Sequence, residues 1–242
     1  MEVEMKAVLN DNQLRKLLNN EDLGICKTNE VREFLVKKDT YYSFNGEKIK
    51  KPKHIIRIRK EDYIDAWNPG QKKPMHPIDL ATGREHTEET HDIDIFSHAV
   101  TSFFNFNFDP VPNHEDIYLT IKEKHTDERG IETNVENESR MYNTEAVEAL
   151  LNSLNFKVYF EKDKRSISFW TNINESRLHL EIVSVNASDI YLEIECCIPD
   201  MLSKTEKEKL IDTTRSDIKY FFKEVLGITE FDGRSWAEII GA

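Results

Sequence analysis

Charged residues recur at every second position in segment after segment of this chain. The first is Glu2-Val3-Glu4-Met5-Lys6, and the spacing returns at Arg57/Arg59, Lys122/Lys124, Glu136/Glu138, Lys162/Lys164, His179/Glu181 and Glu193/Glu195. A strand points successive side chains to opposite faces, so each segment has one charged face. Where Ile58, Ile121, Leu180 and Ile194 interleave, the other face is apolar. One such strand is ordinary: its charges meet water and its apolar side meets a core. A repeated pattern poses a choice. In an open sheet the charged faces simply look into solvent. In a closed barrel with helices outside they converge on a wet lumen, where acids on one wall and bases on another can hold a metal and a polyanion together. Periodicity alone does not decide between the two.

The 242 residues, 38% hydrophobic and 32% charged, suit one large β-rich domain with a modest core. No apolar run approaches the length of a bilayer span, and the chain starts with acids instead of a basic leader. The expected location is therefore the cytoplasm, with no membrane partner. Cys196 and Cys197 are adjacent and Cys26 is remote, which fits neither a disulfide framework nor a zinc site. A net charge of −12 disfavours duplex nucleic acid and anionic membranes, while leaving room for a local basic pocket.

Taken in order, Leu14, Leu17 and Leu18 predict a short helix over 11–20, capped by Asn10 or Asp11. Residues 31–44 are rich in strand formers and end at the turn signal Asn45-Gly46, so the partner strand is 54–60. From 61 to 115 the pattern dissolves among prolines, glycines and acids. That stretch reads as an insertion between the third and fourth strands, with Phe96, Val100, Phe103, Phe104, Phe106 and Phe108 docking its second half. Its histidines, His76, His86, His91, His98 and His114, show no convincing ligand spacing. Strands are expected at 117–124 and 133–141, with Arg129-Gly130 as the turn. A helix behind Asn143 or Thr144 follows, then strands at 156–169, 177–185 and 189–198. Ser203 with Glu206 predicts a capping box opening a long helix up to Gly227, and Ser235 with Glu238 opens a short terminal one. About eight strands joined mostly as neighbours favour an antiparallel meander or barrel.

No glycine-rich phosphate loop, nucleophile elbow or H-E-x-x-H pair is present. Any chemistry has to come from the strand-borne charges. Their order is acid-acid-base in Glu2-Val3-Glu4-Met5-Lys6, then Asp39-Thr40-Tyr41-Tyr42, Ile56-Arg57-Ile58-Arg59 and Leu119-Thr120-Ile121-Lys122. Glu136 and Glu138, Lys162 to Arg165, Leu180-Glu181-Ile182-Val183 and Leu192-Glu193-Ile194-Glu195 complete it. This series resembles the CYTH proteins, also called triphosphate tunnel metalloenzymes, whose opening motif is E-x-E-x-K. The superfamily includes class IV adenylyl cyclases, thiamine triphosphatases and inorganic triphosphatases. The ending Gly227, Arg234-Ser235-Trp236 and Ile239-Ile240-Gly241 is similar to its cyclase-like branch. The resemblance covers nearly the whole chain outside 61–115.

The resemblance implies an α+β fold: a single CYTH-like domain over 1–242, an eight-stranded antiparallel β-barrel tunnel with helices packed outside. It implies Mg²⁺ or Mn²⁺ on Glu2, Glu4, Glu193 and Glu195, with Glu136 or Glu138. Lys6, Arg57, Arg59, Lys122, Lys162 and either Lys164 or Arg165 would grip a triphosphate, and Glu4, Lys6 and Glu181 would serve the reaction. The implied activity is a divalent-metal-dependent triphosphatase acting on ATP or another triphosphate compound. The alternatives are a class IV adenylyl cyclase and a non-catalytic nucleotide binder. A homodimer is left open. Three departures from the pattern stand out. Glu181 takes the place of the usual Asp, Asn186-Ala187-Ser188-Asp189 replaces a glycine turn, and Lys162-Asp163-Lys164-Arg165 leaves the register of its motif open. Lys37 is expected on the outer surface of its strand.

Overall fold

The computed structural model describes residues 1–19, 27–28, 33–47, 54–64, 103–104, 106, 112, 114–126, 132–174, 176–199 and 201–241. Its strands are β1 (Glu2–Val8), β2 (Lys27–Thr28), β3 (Glu33–Phe44), β4 (His54–Tyr63), β5 (His114–Thr126), β6 (Glu132–Met141), β7 (Phe156–Ile173), β8 (Ser176–Val185) and β9 (Tyr191–Cys197). The helices are α1 (Asp11–Asn19), α2 (Glu145–Ser153), α3 (Lys204–Tyr220), which runs into a π turn over Phe221–Val225, and α4 (Trp236–Ile239).

Neighbouring strands follow the order β7-β3-β4-β5-β6-β1-β9-β8, and β8 pairs back onto β7. Every pairing is antiparallel. The eight strands therefore close on themselves, as expected, and β2 adds a two-residue edge on Asn172 and Thr171. Closure rests on the length of β7: its first part pairs with β3 from Phe156 to Ser168, and its second part pairs with β8 from Lys164 to Ile173.

Alternation sorts the two faces. Val3, Met5 and Ala7 of β1, Leu178, Leu180 and Ile182 of β8, and Leu192 and Ile194 of β9 all point out of the barrel. They meet Leu17 and Leu18 of α1 and Ile218, Phe221 and Phe222 at the end of α3 in one large core. Fully burying each of these larger side chains contributes about 1.5–3 kcal/mol. That apolar outside is what commits Glu2, Glu4 and Lys6, or Glu193 and Glu195, to the inside. A second cluster, Tyr42, Ile58, Ile117 and Leu151, seats α2 on β3, β4 and β5. A third, Val183, Val185 and Tyr191 with Trp236, Ile239 and Ile240, seats α4 against the barrel.

The capping signals are met at α1, α3 and α4, whereas Thr144 at the start of α2 makes no side-chain capping bond. Asn10 and Gln13 exchange side-chain and backbone hydrogen bonds at the start of α1. Both Ser203/Glu206 and Ser235/Glu238 form complete capping boxes. Asn45 and Gly46 both have positive φ, 59° and 73°, and a side chain on Gly46 would crowd Lys157 Cβ at 3.1 Å. The partner strand β4 begins at His54, as expected, opposite Glu123 of β5.

β4 runs on to Tyr63 and β5 begins at His114, so both strands reach further into the expected insertion than 60 and 117. Of the aromatics between them, Phe103 and Phe104 are buried against the barrel, and Phe103 meets Phe34 edge-on with ring centroids 5.2 Å apart. Phe96, Val100, Phe108, His76, His86, His91, His98, Cys26 and the Arg129-Gly130 turn lie outside the described residues. Among the described residues no helix is long and apolar enough to cross a membrane.

Candidate active site in the barrel lumen

The inward faces enclose a cavity of about 620 Å³, within the usual range for small-molecule sites. Because neighbouring strands are contiguous in the barrel, the charges separate into two walls. β7, β3 and β4 supply Lys162, Lys164, Lys37, Arg57 and Arg59, with the acid Glu61 of β4 among them. β6, β1, β9 and β8 supply Glu136, Glu138, Glu2, Glu4, Glu193, Glu195 and Glu181, with the base Lys6 of β1 among them.

Asp39 organises the basic wall. Its carboxylate is fully buried and accepts from Arg59 Nε at 2.6 Å and Nη2 at 3.0 Å, and it pairs with Lys162 Nζ at 3.0 Å and Arg57 Nη1 at 3.8 Å. Burial alone would raise its pKa, but Arg59, Lys162 and Arg57 together hold it well below the usual carboxylate range. One acid therefore aligns three bases and neutralises at most one of them. Burial, only partly offset by Asp39 and reinforced by Lys164 and Arg59, brings the Lys162 ammonium down to about 8. Tyr41 donates to Asp39 at 3.1 Å, and burial together with the Asp39 charge pushes its phenol up to about 12.

On the acidic wall, Lys122 of β5 reaches Glu136 at 2.6 Å, Glu2 at 3.3 Å and Glu4 at 3.6 Å. Burial works against its charge, yet Glu4, Glu2 and Glu136 hold its pKa well above the normal value. Glu136 is correspondingly held at about 2 by Lys122 against its burial. Glu2 goes the other way: burial, then the neighbouring Glu195, raise it well above the ordinary value, and Lys122 only partly compensates. Acids thus exceed bases along β6, β1 and β9. His179 Nδ1 lies 2.7 Å from Glu195 Oε1.

Where the walls meet, Lys37 pairs with Glu181, and Lys164 pairs with both Glu181 and Glu193. Burial opposes charge on Glu181, but Lys164 and Lys37 hold it well below the normal range. Trp236 of α4 donates from Nε1 to Glu193 Oε1 at 2.7 Å, and the Lys6 ammonium lies over its ring at 5.9 Å. Arg57 donates to Thr120 Oγ1 at 2.9 Å, and Thr120 donates to Glu138 at 2.8 Å.

The lumen brings together Glu2, Glu4, Lys6, Arg57, Arg59, Lys122, Glu136, Glu138, Lys162, Lys164, Glu181, Glu193 and Glu195. Arg165 does not belong with them. It is adjacent to Lys164 and so emerges on the opposite face of β7, where its Nη1 donates to the Phe103 carbonyl at 2.9 Å and its guanidinium lies over Phe106 at 4.6 Å. The pairing of β7 with β8 is continuous through Lys164 and Arg165, so no bulge brings Arg165 inward.

Lys37 is the opposite correction. It is buried, lines the cavity and pairs with Glu181, whereas an outer-surface position was expected. The signal was available in β3: Phe34 and Val36 form the apolar outward face, which places Lys37, Asp39 and Tyr41 together on the inner one. Sequence reasoning also assigned no role to Asp39, Glu61, Thr120 or Trp236.

No protein-family model matches the chain and no curated protein matches it. Solved structures do. The PH1819 protein of Pyrococcus horikoshii is 18% identical with a TM-score of 0.58, over 99% of this chain and 98% of that one. The PH1012 protein of the same organism is 18% identical with a TM-score of 0.51, over 99% of both. A candidate adenylate cyclase from Vibrio parahaemolyticus is 9% identical with a TM-score of 0.50, over 100% of this chain and 98% of that one. The chain has the CYTH tunnel fold. Among the described residues its eight closed antiparallel strands and outer helices match a CYTH-like tunnel, and both corrections above are corrections of facing within that barrel.

Proposed function

We propose that this CYTH tunnel binds a triphosphate compound in its lumen and hydrolyses it with the help of a divalent cation. The supporting observation is the pair of opposed walls around one enclosed cavity: bases on β7, β3 and β4, and acids on β6, β1, β9 and β8. A triphosphate chain carries about four negative charges, so the bases and a cation have to share its neutralisation. Arg57 and Arg59 are pre-aligned by Asp39 for two-point contacts with phosphate oxygens.

Whether the acidic wall suits a cation is a question of donor chemistry. Mg²⁺ and Mn²⁺ prefer carboxylate oxygen, and Glu2, Glu4, Glu193 and Glu195 supply it in a region where acids exceed bases. Among the described residues no three His, Cys, Asp or Glu side chains converge as they stand on one metal position. The Lys122 ammonium lies amid Glu2, Glu4 and Glu136, so it has to swing aside to open that position. With that movement the residues fit a hard cation. When bound, the cation polarises a phosphoryl oxygen as a Lewis acid.

The chain's own side chains do the rest. Arg57, Arg59, Lys162 and Lys164 hold the phosphates against the basic wall, and Lys37 joins them once it leaves Glu181. Glu4 and Glu181 orient the attacking water, and Lys6 offsets charge at the Trp236 end. Water attacks the terminal phosphorus and the bond to the bridging oxygen breaks. Inorganic phosphate and the diphosphate leave, and the water proton passes to solvent.

A second reading, cyclisation of ATP by attack of the ribose 3′ oxygen on the innermost phosphorus, draws on the likeness to the Vibrio protein and on the docking of Trp236 into the lumen. Product analysis separates the readings. Incubation with ATP, GTP, thiamine triphosphate and tripolyphosphate, with Mg²⁺ or Mn²⁺, is expected to release phosphate. Pyrophosphate with a cyclic nucleotide would establish the cyclase instead, and intact substrate would leave only binding. Glu4→Gln is expected to abolish turnover while tripolyphosphate still binds in metal-free buffer.

A further inference from the structure

The basic and acidic walls meet along two seams, and the seams are built differently. Where β7 and β3 meet β8 and β9, bases and acids bind each other directly: Lys37 pairs with Glu181, and Lys164 pairs with Glu181 and Glu193. The other seam runs along β5. There, between Arg57 of β4 and Glu138 of β6, stands a neutral side chain. Thr120 is directly opposite Arg57 in the pairing of β4 with β5, and directly opposite Glu138 in the pairing of β5 with β6. Directly opposed residues share a face, with Cβ atoms about 5 Å apart, and all three line the cavity. Base, hydroxyl and acid therefore form one row across three strands.

The Thr120 hydroxyl is used in both directions. It accepts from Arg57 Nη2 at 2.9 Å and donates to Glu138 Oε2 at 2.8 Å. The same Nη2 reaches the same Oε2 only at 3.5 Å, longer than the roughly 2.7–2.9 Å of a good charged hydrogen bond. The rest of the Arg57 fork is little used. Among the described residues its Nε has no hydrogen-bond partner, and Nη1 lies 3.8 Å from Asp39, beyond hydrogen-bond distance. Arg59, by contrast, is held at two points by Asp39. Arg57 is thus the arginine of this wall with unused donors, and the acid nearest to it across β5 is bonded to a hydroxyl instead.

We propose that Thr120 is a positioning residue for the triphosphate: its hydroxyl, set between Arg57 and Glu138, keeps the acid from neutralising the guanidinium and leaves Arg57 to the phosphate oxygens. The inference rests on the triphosphate reading above and extends it to an uncharged residue of the seam. Removing the hydroxyl frees both partners at once. Glu138 then has the guanidinium as its nearest donor, and the two close into a direct charged pair that a phosphate has to break before it can bind.

The test is isothermal titration of the full-length protein with tripolyphosphate in metal-free buffer. Thr120→Ala is expected to weaken binding on the order of 10-fold, the equivalent of one charge-assisted hydrogen bond. Thr120→Ser keeps the hydroxyl and is expected to bind as the parent does. Adding Glu138→Gln to Thr120→Ala is expected to recover the loss. In the parent protein the same change removes a partly exposed charge and is expected to alter affinity by no more than about fivefold. A residue that only packed would show no such dependence on Glu138. Thr120→Val, which keeps the shape and lacks the hydroxyl, carries the same comparison if Thr120→Ala does not fold. Parental affinity in the variant without the hydroxyl, or an equal gain from Glu138→Gln with and without Thr120, would overturn the proposal while leaving the triphosphate reading intact. A parent protein that binds no tripolyphosphate would overturn both.

Discussion

Asp39 and Arg59 form a two-point ion pair inside the lumen, with Nε to Oδ1 at 2.6 Å and Nη2 to Oδ2 at 3.0 Å. The same carboxylate holds Lys162 and lies within ion-pair reach of Arg57, so it fixes the basic wall before any ligand arrives. Asp39→Asn would leave three buried cations without their shared counter-charge. Removing one partner of a buried ion pair costs about 3–5 kcal/mol, and a loss of that size is expected in urea denaturation. An unchanged midpoint would mean that Glu61, 3.4 Å from Arg59, and Glu138, 3.5 Å from Arg57, already balance the arginines.

Lys37→Ala is expected to weaken tripolyphosphate binding about as much as Arg57→Ala does. Losing one charge-assisted hydrogen bond costs roughly 1.5–3 kcal/mol, which is about 10- to 100-fold in affinity. The adjacent Lys38 is exposed on the other face of β3, so Lys38→Ala should leave affinity unchanged. Isothermal titration of the three variants decides the matter, and equal effects of Lys37→Ala and Lys38→Ala would place Lys37 outside the binding wall.

The misplacing of Lys37 shows what was legible in the sequence and what was not. Strand parity was readable wherever charges alternate with aliphatic residues, as in Glu2 to Lys6 or Leu192 to Glu195, and closure into a tunnel was implied by the family resemblance that those motifs carry. In β3, Lys37 and Lys38 are adjacent and chemically alike, so charge alone cannot tell the inner from the outer one. Only Phe34 and Val36 on the opposite face mark Lys37 as inward. Lys164-Arg165 posed the same ambiguity, and there the answer depended on a long-range contact with Phe103 that no local pattern encodes. The role of Asp39 was hidden for another reason. It depends on bases from β4 and β7 converging on one carboxylate, which follows from strand pairing and not from spacing along the chain.

Lys162 gives the site a pH dependence. In the ligand-free lumen burial brings its pKa to about 8, and a bound polyanion favours the charged form, so binding takes up a proton above that value. Tripolyphosphate affinity in metal-free buffer is expected to stay level up to about pH 8 and then fall, by at most about tenfold per unit. Lys162→Arg, which does not titrate in this range, should bind with no break. The sign for stability is opposite. Because the folded pKa lies below the unfolded one, the cost of burying this ammonium is fully present below about pH 8 and disappears as pH rises toward the unfolded value. A break of the same size in both proteins would assign it to another group.

Arg165 and Lys164 are adjacent and face opposite ways, so their substitutions should separate cleanly. Arg165→Ala removes a charged donor to the Phe103 carbonyl and is expected to destabilise the fold by about 1.5–3 kcal/mol, with tripolyphosphate affinity unchanged. Lys164→Ala should instead reduce affinity. Denaturation and titration of both variants check this, and a loss of affinity in Arg165→Ala would return that residue to the binding site.

The most direct measurement is a crystal structure with a non-hydrolysable triphosphate and Mn²⁺. The phosphorus atoms are expected inside the barrel against Arg57, Arg59, Lys162 and Lys164, with the cation between them and Glu2, Glu4 and Glu195. A triphosphate bound on the outer surface, with the lumen ion pairs Lys37–Glu181 and Lys164–Glu193 undisturbed, would contradict the account.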